Sequence, residues 1–209
     1  MRLLRLRDLG HVIIVAAALV GLASVWRKRI ALRTSWPLSH DEMTRVREYP
    51  RHRPVFNGAF RDTLVLFLDY RCAYCAVVYP GLVRADAHYG VVVWHLVDSR
   101  NSLSVQAAIA AECARGLGAF HPYSYALFAK RDSIGMLSWQ DYLAAAGITD
   151  TGGFMRCVDR RDPLRVIEED TRLGQRLGLA GTPAVIFRGR LYVGPTRMEE
   201  FERILQFQR

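Results

Sequence analysis

Apolar and polar positions divide the chain into stretches of different period. Residues 63–70, TLVLFLDY, are apolar without alternation until Asp69, the pattern of a strand buried on both faces. A second β-branched run, VVVWHLV, occupies 91–97, and a helix-forming stretch from Ala73 to about His88, interrupted by Pro80, lies between them. Strand, helix and strand in this order predict a right-handed βαβ unit. Further on, AVIF (184–187) and LYV (191–193) are joined by RGR and predict a hairpin. TRMEEFERILQF then predicts a closing helix, with Thr196 and Glu199 spaced as a capping box and Met198, Phe201 and Leu205 on one face.

Between Val97 and Ala184 there is far more chain than one crossover helix needs, and it is not loop-like. SVQAAIAAECARGLG, PYSYALFAK and SWQDYLAAAG predict helices. DPLRVIEEDTRLGQRLG predicts another, with Asp162 as its cap, Pro163 in its first turn and Gly178 at its end. Val166, Leu173 and Leu177 would form its buried stripe. Trp94, Phe120, Tyr123 and Phe128 read as core of this region. The pattern therefore predicts an α/β core over residues 54–209 with a helical subdomain inserted at about 98–178.

Upstream the texture changes. Residues 31–53 include the polar stretch RTSWPLSHDEMTRVREYPRHR and read as a linker, with a helical turn around Asp41 to Arg47. Residues 1–30 contain an apolar run from Leu9 to Trp26 with basic residues on both sides. Eighteen helical residues rise roughly 27 Å, close to the roughly 30 Å of a bilayer core. Two readings stand: a signal peptide cut after Ala23, or a retained membrane anchor. Arg27, Lys28 and Arg29 crowd the cleavage position, which favours the anchor. Either reading sends the rest of the chain to or through a membrane.

The formal charge of +9 invites a nucleic-acid reading, but eleven Lys and Arg against four acids lie in residues 1–53, and eighteen against sixteen lie beyond. The folded part is nearly neutral, which argues against nucleic acid as a partner. At 51% hydrophobic, 209 residues suit one sizeable domain.

The chemistry concentrates in DYRCAYC, where Cys72 and Cys75 are separated by Ala73 and Tyr74 directly after the first strand. Where a strand runs into a helix, free N–H groups and the helix dipole favour a thiolate at Cys72. Cys75, one turn further in, would be the more buried thiol. That asymmetry supplies a nucleophile and a resolving partner for disulfide exchange. Structural zinc needs four ligands, usually as two close pairs, whereas Cys113 and Cys157 are solitary and have no His nearby. A purely structural disulfide would close too short a loop to stabilise much. Handling of a soft ion such as Cu(I) by the same pair, and a non-catalytic docking role, remain as rivals. No metal site is otherwise predicted, and His88, His95 and His121 read as core or surface residues.

FLDYRCAYC resembles the active-site stretch of DsbA-like thiol–disulfide oxidoreductases, which have a thioredoxin fold carrying a helical insertion. Pro80, the AAIAAECARGLGAFHPYSYALFAKRD region and LGLAGTPAVIF continue the resemblance, which runs from about Thr63 to Leu205. It implies that Cys72 and Cys75 are catalytic. It also implies that Thr182 precedes a cis proline, Pro183, and that these two, with Ala73 and Tyr74, shape the substrate groove. No cofactor is implied beyond the Cys72–Cys75 disulfide. The implied partners are exported, partly folded proteins and a membrane redox partner, in an extracytoplasmic or periplasmic setting. Some members of the family staple the inserted helices with a disulfide, so Cys113 and Cys157 either pair or stay as buried thiols. Asp69 matches a position that is often acidic in the family. Ala73 departs from the proline that many members place directly after the first cysteine, so oxidising strength does not carry over.

Overall fold

The computed structural model describes residues 35–49, 63–85, 89–149, 151–194 and 197–206. The chain falls into two compact units, Met1–Trp36 and Pro37–Arg209. The apolar run Leu9–Trp26 and the proposed cap Thr196 lie outside the described residues. Among the described residues, no helix is long and apolar enough to cross a membrane.

In the second unit the elements follow the order α1 (His40–Glu48), β1 (Thr63–Leu68), α2 (Ala73–Ala85), β2 (Gly90–His95), α3 (Ser102–Gly116), α4 (Phe120–Ala129), α5 (Trp139–Ala145), α6 (Gly152–Arg160), α7 (Leu164–Arg176), β3 (Ala184–Phe187), β4 (Arg190–Val193) and α8 (Met198–Gln206). β1 pairs in parallel with β2, with Leu68 opposite His95. On its other side β1 pairs antiparallel with β3, which forms the hairpin with β4. Five helices, α3 to α7, stand between β2 and β3.

Both faces of the sheet are covered, and alternate strand residues go to different cores. Leu64, Leu66, Leu68, Val91 and Val93 join a large cluster with Tyr70, Tyr79, Tyr123, Phe154 and Phe201. Val65, Phe67, Val92 and Trp94 join a smaller one with Val46, Leu173 and Leu177. Two buried faces explain the unbroken apolar runs. Trp94 therefore belongs to the smaller core, edge-on to Tyr49 and Phe67, which α7 reaches from the insertion, and not to the larger core that α3 to α6 share. Position 94 reads as insertion core only if a strand residue's facing is ignored.

Four further expectations change. Residues 40–48 form a full helix with a Ser39–Glu42 capping box, and its Val46 is buried. Pro163 is the N-cap of α7 and not part of its first turn, and no side chain caps that end, Asp162 included. Ile167, not Val166, joins Leu173 and Leu177 in the buried stripe. α6 was not anticipated: it opens on Gly152 and Gly153, weak helix formers, with no side-chain cap at Thr151. α7 lies close on the sheet at Gly174, where an added Cβ would meet Leu96 at 2.9 Å and Phe67 at 3.2 Å.

Candidate active site

The site begins where β1 ends. Asp69 turns the chain: its Oδ1 accepts the Arg71 N–H at 2.8 Å and its carbonyl accepts the Cys72 N–H at 3.0 Å. Tyr70 anchors this turn, fully buried, its hydroxyl 2.7 Å from Ser124 Oγ on α4. The turn sets Cys72 immediately before the first residue of α2, at the end of the helix where N–H groups lack partners. The Cys75 N–H donates to Cys72 Sγ at 3.4 Å.

A second loop, distant in sequence, closes over the sulfur. The Cys72 thiol donates to the Thr182 carbonyl at 3.3 Å. The Thr182–Pro183 peptide bond is cis, and the Pro183 carbonyl accepts the Gly194 N–H at 2.9 Å. The fold thus brings Cys72, Cys75 and Thr182–Pro183 together. Ala73 and Tyr74 are exposed on the first turn of α2, Tyr74 at 52%.

The two thiols differ sharply. Hydrogen bonding from Cys75, first its side chain and then its N–H, outweighs partial burial and brings Cys72 down to about 6. An ordinary cysteine titrates near 8.5, so Cys72 is the more readily ionised of the two thiols near neutral pH. Cys75 is fully buried, and burial, reinforced by its bond to Cys72 and by the Cys72 charge, pushes it well above an ordinary thiol. Burial also raises Asp69, against hydrogen bonds from the Arg71 N–H and Ser104 and the charge of His95.

Behind the turn lies a polar cluster that the strand and helix patterns did not reveal. His95 is fully buried, with Nε2 2.7 Å from Glu112 Oε1, and the Arg115 guanidinium holds Glu112 at 2.9 and 3.1 Å. The available signal was the spacing of Ser104, Glu112 and Arg115, which fall on one stripe of an alanine-rich helix. On the active-site helix itself, the Tyr79 hydroxyl meets His121 Nδ1 at 2.9 Å, and burial pushes His121 down to about 4. Cys113 and Cys157 are joined in a disulfide that ties α3 to α6, with Cα atoms 5.8 Å apart. Among the described residues, no three His, Cys, Asp or Glu are grouped to hold a metal ion.

This arrangement has relatives. The chain matches the thioredoxin family over residues 58–206. No curated protein matches it in sequence. Among solved structures, a thioredoxin-like oxidoreductase from Silicibacter pomeroyi DSS-3 is 25% identical over 81% of this chain and 97% of that one, with a TM-score of 0.61. The thiol–disulfide exchange protein alpha-DsbA2 from Wolbachia pipientis is 20% identical over 81% and 95%, with a TM-score of 0.66. A periplasmic thioredoxin-like protein from Salmonella enterica serovar Typhimurium is 26% identical over 70% and 83%, with a TM-score of 0.53. A CxxC pair between the end of a strand and the start of a helix, set against Thr182–Pro183 in a sheet interrupted by five helices, places the chain in the thioredoxin family, with the fold of its DsbA-like members.

Proposed function

We propose that the chain is an extracytoplasmic thiol–disulfide oxidoreductase that exchanges disulfides with exported proteins, working as an oxidase. The observation that carries this reading is the asymmetry of the pair: Cys72 is half-exposed and inclined to ionise, whereas Cys75 is buried and held as a thiol. In the oxidised enzyme, a substrate thiolate attacks Cys72 Sγ, the Cys72–Cys75 bond breaks, and Cys75 leaves and takes up a proton. A second substrate thiolate then attacks the substrate sulfur of the mixed disulfide and releases Cys72 as a thiolate. The substrate gains a disulfide and the enzyme becomes a dithiol.

Thiolate stabilisation at Cys72 favours the reduced enzyme and hence the oxidising direction. At pH 7 its downward shift contributes at most about 30 mV, less after solvent screening of a half-exposed group. Ala73, Tyr74, Thr182 and Pro183 frame the groove, and the resident redox group is the disulfide itself. A membrane redox partner, such as a quinone-linked oxidase, would return the pair to its oxidised state. The apolar segment Leu9–Trp26 and the likeness to a protein described as periplasmic support a location outside the cytoplasm, with that segment as anchor.

The test is trapping. A Cys75→Ser variant mixed with a disulfide-containing unfolded protein should accumulate a mixed disulfide through Cys72, and Cys72→Ser should not. Adducts in neither variant would remove the exchange reading.

A further inference from the structure

α3, α5 and α6 border a cavity of about 270 Å³ that shares no residue with the cysteine pair or with the groove beside it. Its lining comes from three separate stretches of the chain. Gln106 and Ile109 lie one turn apart on α3, Trp139 opens α5, and Val158 and Asp159 lie on α6, with Arg161 directly past its end. Ile109, Trp139 and Val158 make the apolar part of the wall. Ile109 is buried, and the Trp139 ring packs on that of Tyr142, with centroids 5.9 Å apart and planes at 33°. The other three are an amide, an anion and a cation. Among the described residues, no hydrogen bond or ion pair engages the side chains of Gln106, Asp159 or Arg161, so the two charges are not paired with each other.

Two features set this cavity apart from a chance gap between helices. Arg161 holds φ 56° and ψ 36°, the left-handed region, at a helix end where glycine is the usual residue. Arginine has no backbone reason to stand there, and strain kept at such a position points to a use for the side chain. The second feature is the disulfide. Cys157 immediately precedes Val158, and Cys113 lies one turn beyond Ile109, so the bond ties the α3 wall to the α6 wall. α6 opens on two glycines without a side-chain cap, and the disulfide supplies the fixation that its own start lacks.

The size and lining define a ligand. The volume is just below the roughly 300–1,000 Å³ of pockets for drug-sized molecules, which limits the occupant to about one residue. An indole and two aliphatic side chains select an apolar or aromatic body. An arginine and an aspartate in one small site select a carboxylate and an ammonium on the same molecule. A peptide end carries only one of those charges on its last residue and leaves the other side chain unmatched.

We propose that this cavity is a second binding site, for a free α-amino acid with an apolar side chain. That side chain lies against Trp139, Ile109 and Val158, the carboxylate meets Arg161, and the ammonium meets Asp159. Gln106 bonds to whichever polar group faces α3. The inference stands apart from the exchange function and uses neither Cys72 nor Cys75.

The experiment is isothermal titration calorimetry on the oxidised full chain, with L-phenylalanine as the probe. N-acetyl-L-phenylalanine lacks the ammonium, L-phenylalaninamide lacks the carboxylate, and glycine lacks the apolar body. We expect saturable one-to-one binding of L-phenylalanine, and at least tenfold weaker binding of each of the three analogues. Arg161→Gly removes the guanidinium and gives the position the residue its backbone favours. Binding of L-phenylalanine should fall at least tenfold in that variant, with the melting temperature unchanged or raised. Asp159→Asn should weaken L-phenylalanine and leave N-acetyl-L-phenylalanine as it is. The Cys113→Ala, Cys157→Ala double variant, held at a temperature where it stays folded, should also bind more weakly. Absence of saturable L-phenylalanine binding by wild type would overturn the inference, as would equal affinity in Arg161→Gly. Binding of either singly charged analogue as tightly as L-phenylalanine would overturn the free amino acid and make the ligand a peptide end.

Discussion

The N–H of Cys75 donates to the sulfur of Cys72 at 3.4 Å, while the side chain of Cys75 itself has no exposure. One residue therefore both stabilises its partner's thiolate and remains protonated behind it. This follows from the first turn of a helix, which places the N–H of position 75 over the sulfur three residues earlier.

Alkylation of the reduced protein should report that asymmetry. Cys72 should react with iodoacetamide with a midpoint near pH 6, and Cys75 should stay unmodified across the same range. Mass analysis at each pH checks this. A single midpoint near 8.5 for both thiols would show that the helix end does nothing for Cys72.

The same shift makes the stability of the reduced protein depend on pH. Cys72 ionises lower when folded than when unfolded, so its contribution is complete above the unfolded value and is lost as pH falls through about 6. Urea unfolding of reduced wild type and Cys72→Ala at pH 5 and pH 8 should show the wild-type advantage growing by about 1 kcal/mol toward pH 8. Cys75 acts with the opposite sign in alkaline solution, because its folded form resists ionisation.

Removing the second disulfide should cost stability without touching the chemistry. Cys113 and Cys157 are separated by 44 residues, and a loop of that length stabilises by about 4 kcal/mol on the chain-entropy model. The Cys113→Ala, Cys157→Ala double variant should unfold at correspondingly lower urea, while the Cys72 titration stays in place.

Tyr70 should be sensitive to the loss of one atom. In Tyr70→Phe the hydroxyl that meets Ser124 at 2.7 Å disappears, leaving a buried serine without that partner. The expected loss is about 1–2 kcal/mol by denaturant unfolding.

The strands were legible in the sequence because burial on both faces leaves unbroken β-branched runs, and the cysteine pair was legible because it terminates one of them. The helices α3, α4, α5 and α7 were legible as segments, but their facing was less so. Val166 and Ile167 are adjacent and equally apolar, and only packing against the sheet decides which is buried. α6 begins on two glycines and gives no start signal. The His95–Glu112–Arg115 cluster was not legible because a polar stripe on a helix reads as a solvated face. Its partner is a strand residue that the fold brings there across 17 positions.

The most direct measurement is the equilibrium reduction potential of the Cys72–Cys75 pair in the full chain, titrated against glutathione with the state of Cys113 and Cys157 checked by mass. One two-electron transition is expected, within the range of about −270 to −120 mV spanned by thioredoxin and DsbA. Absence of any two-electron transition would contradict the exchange function.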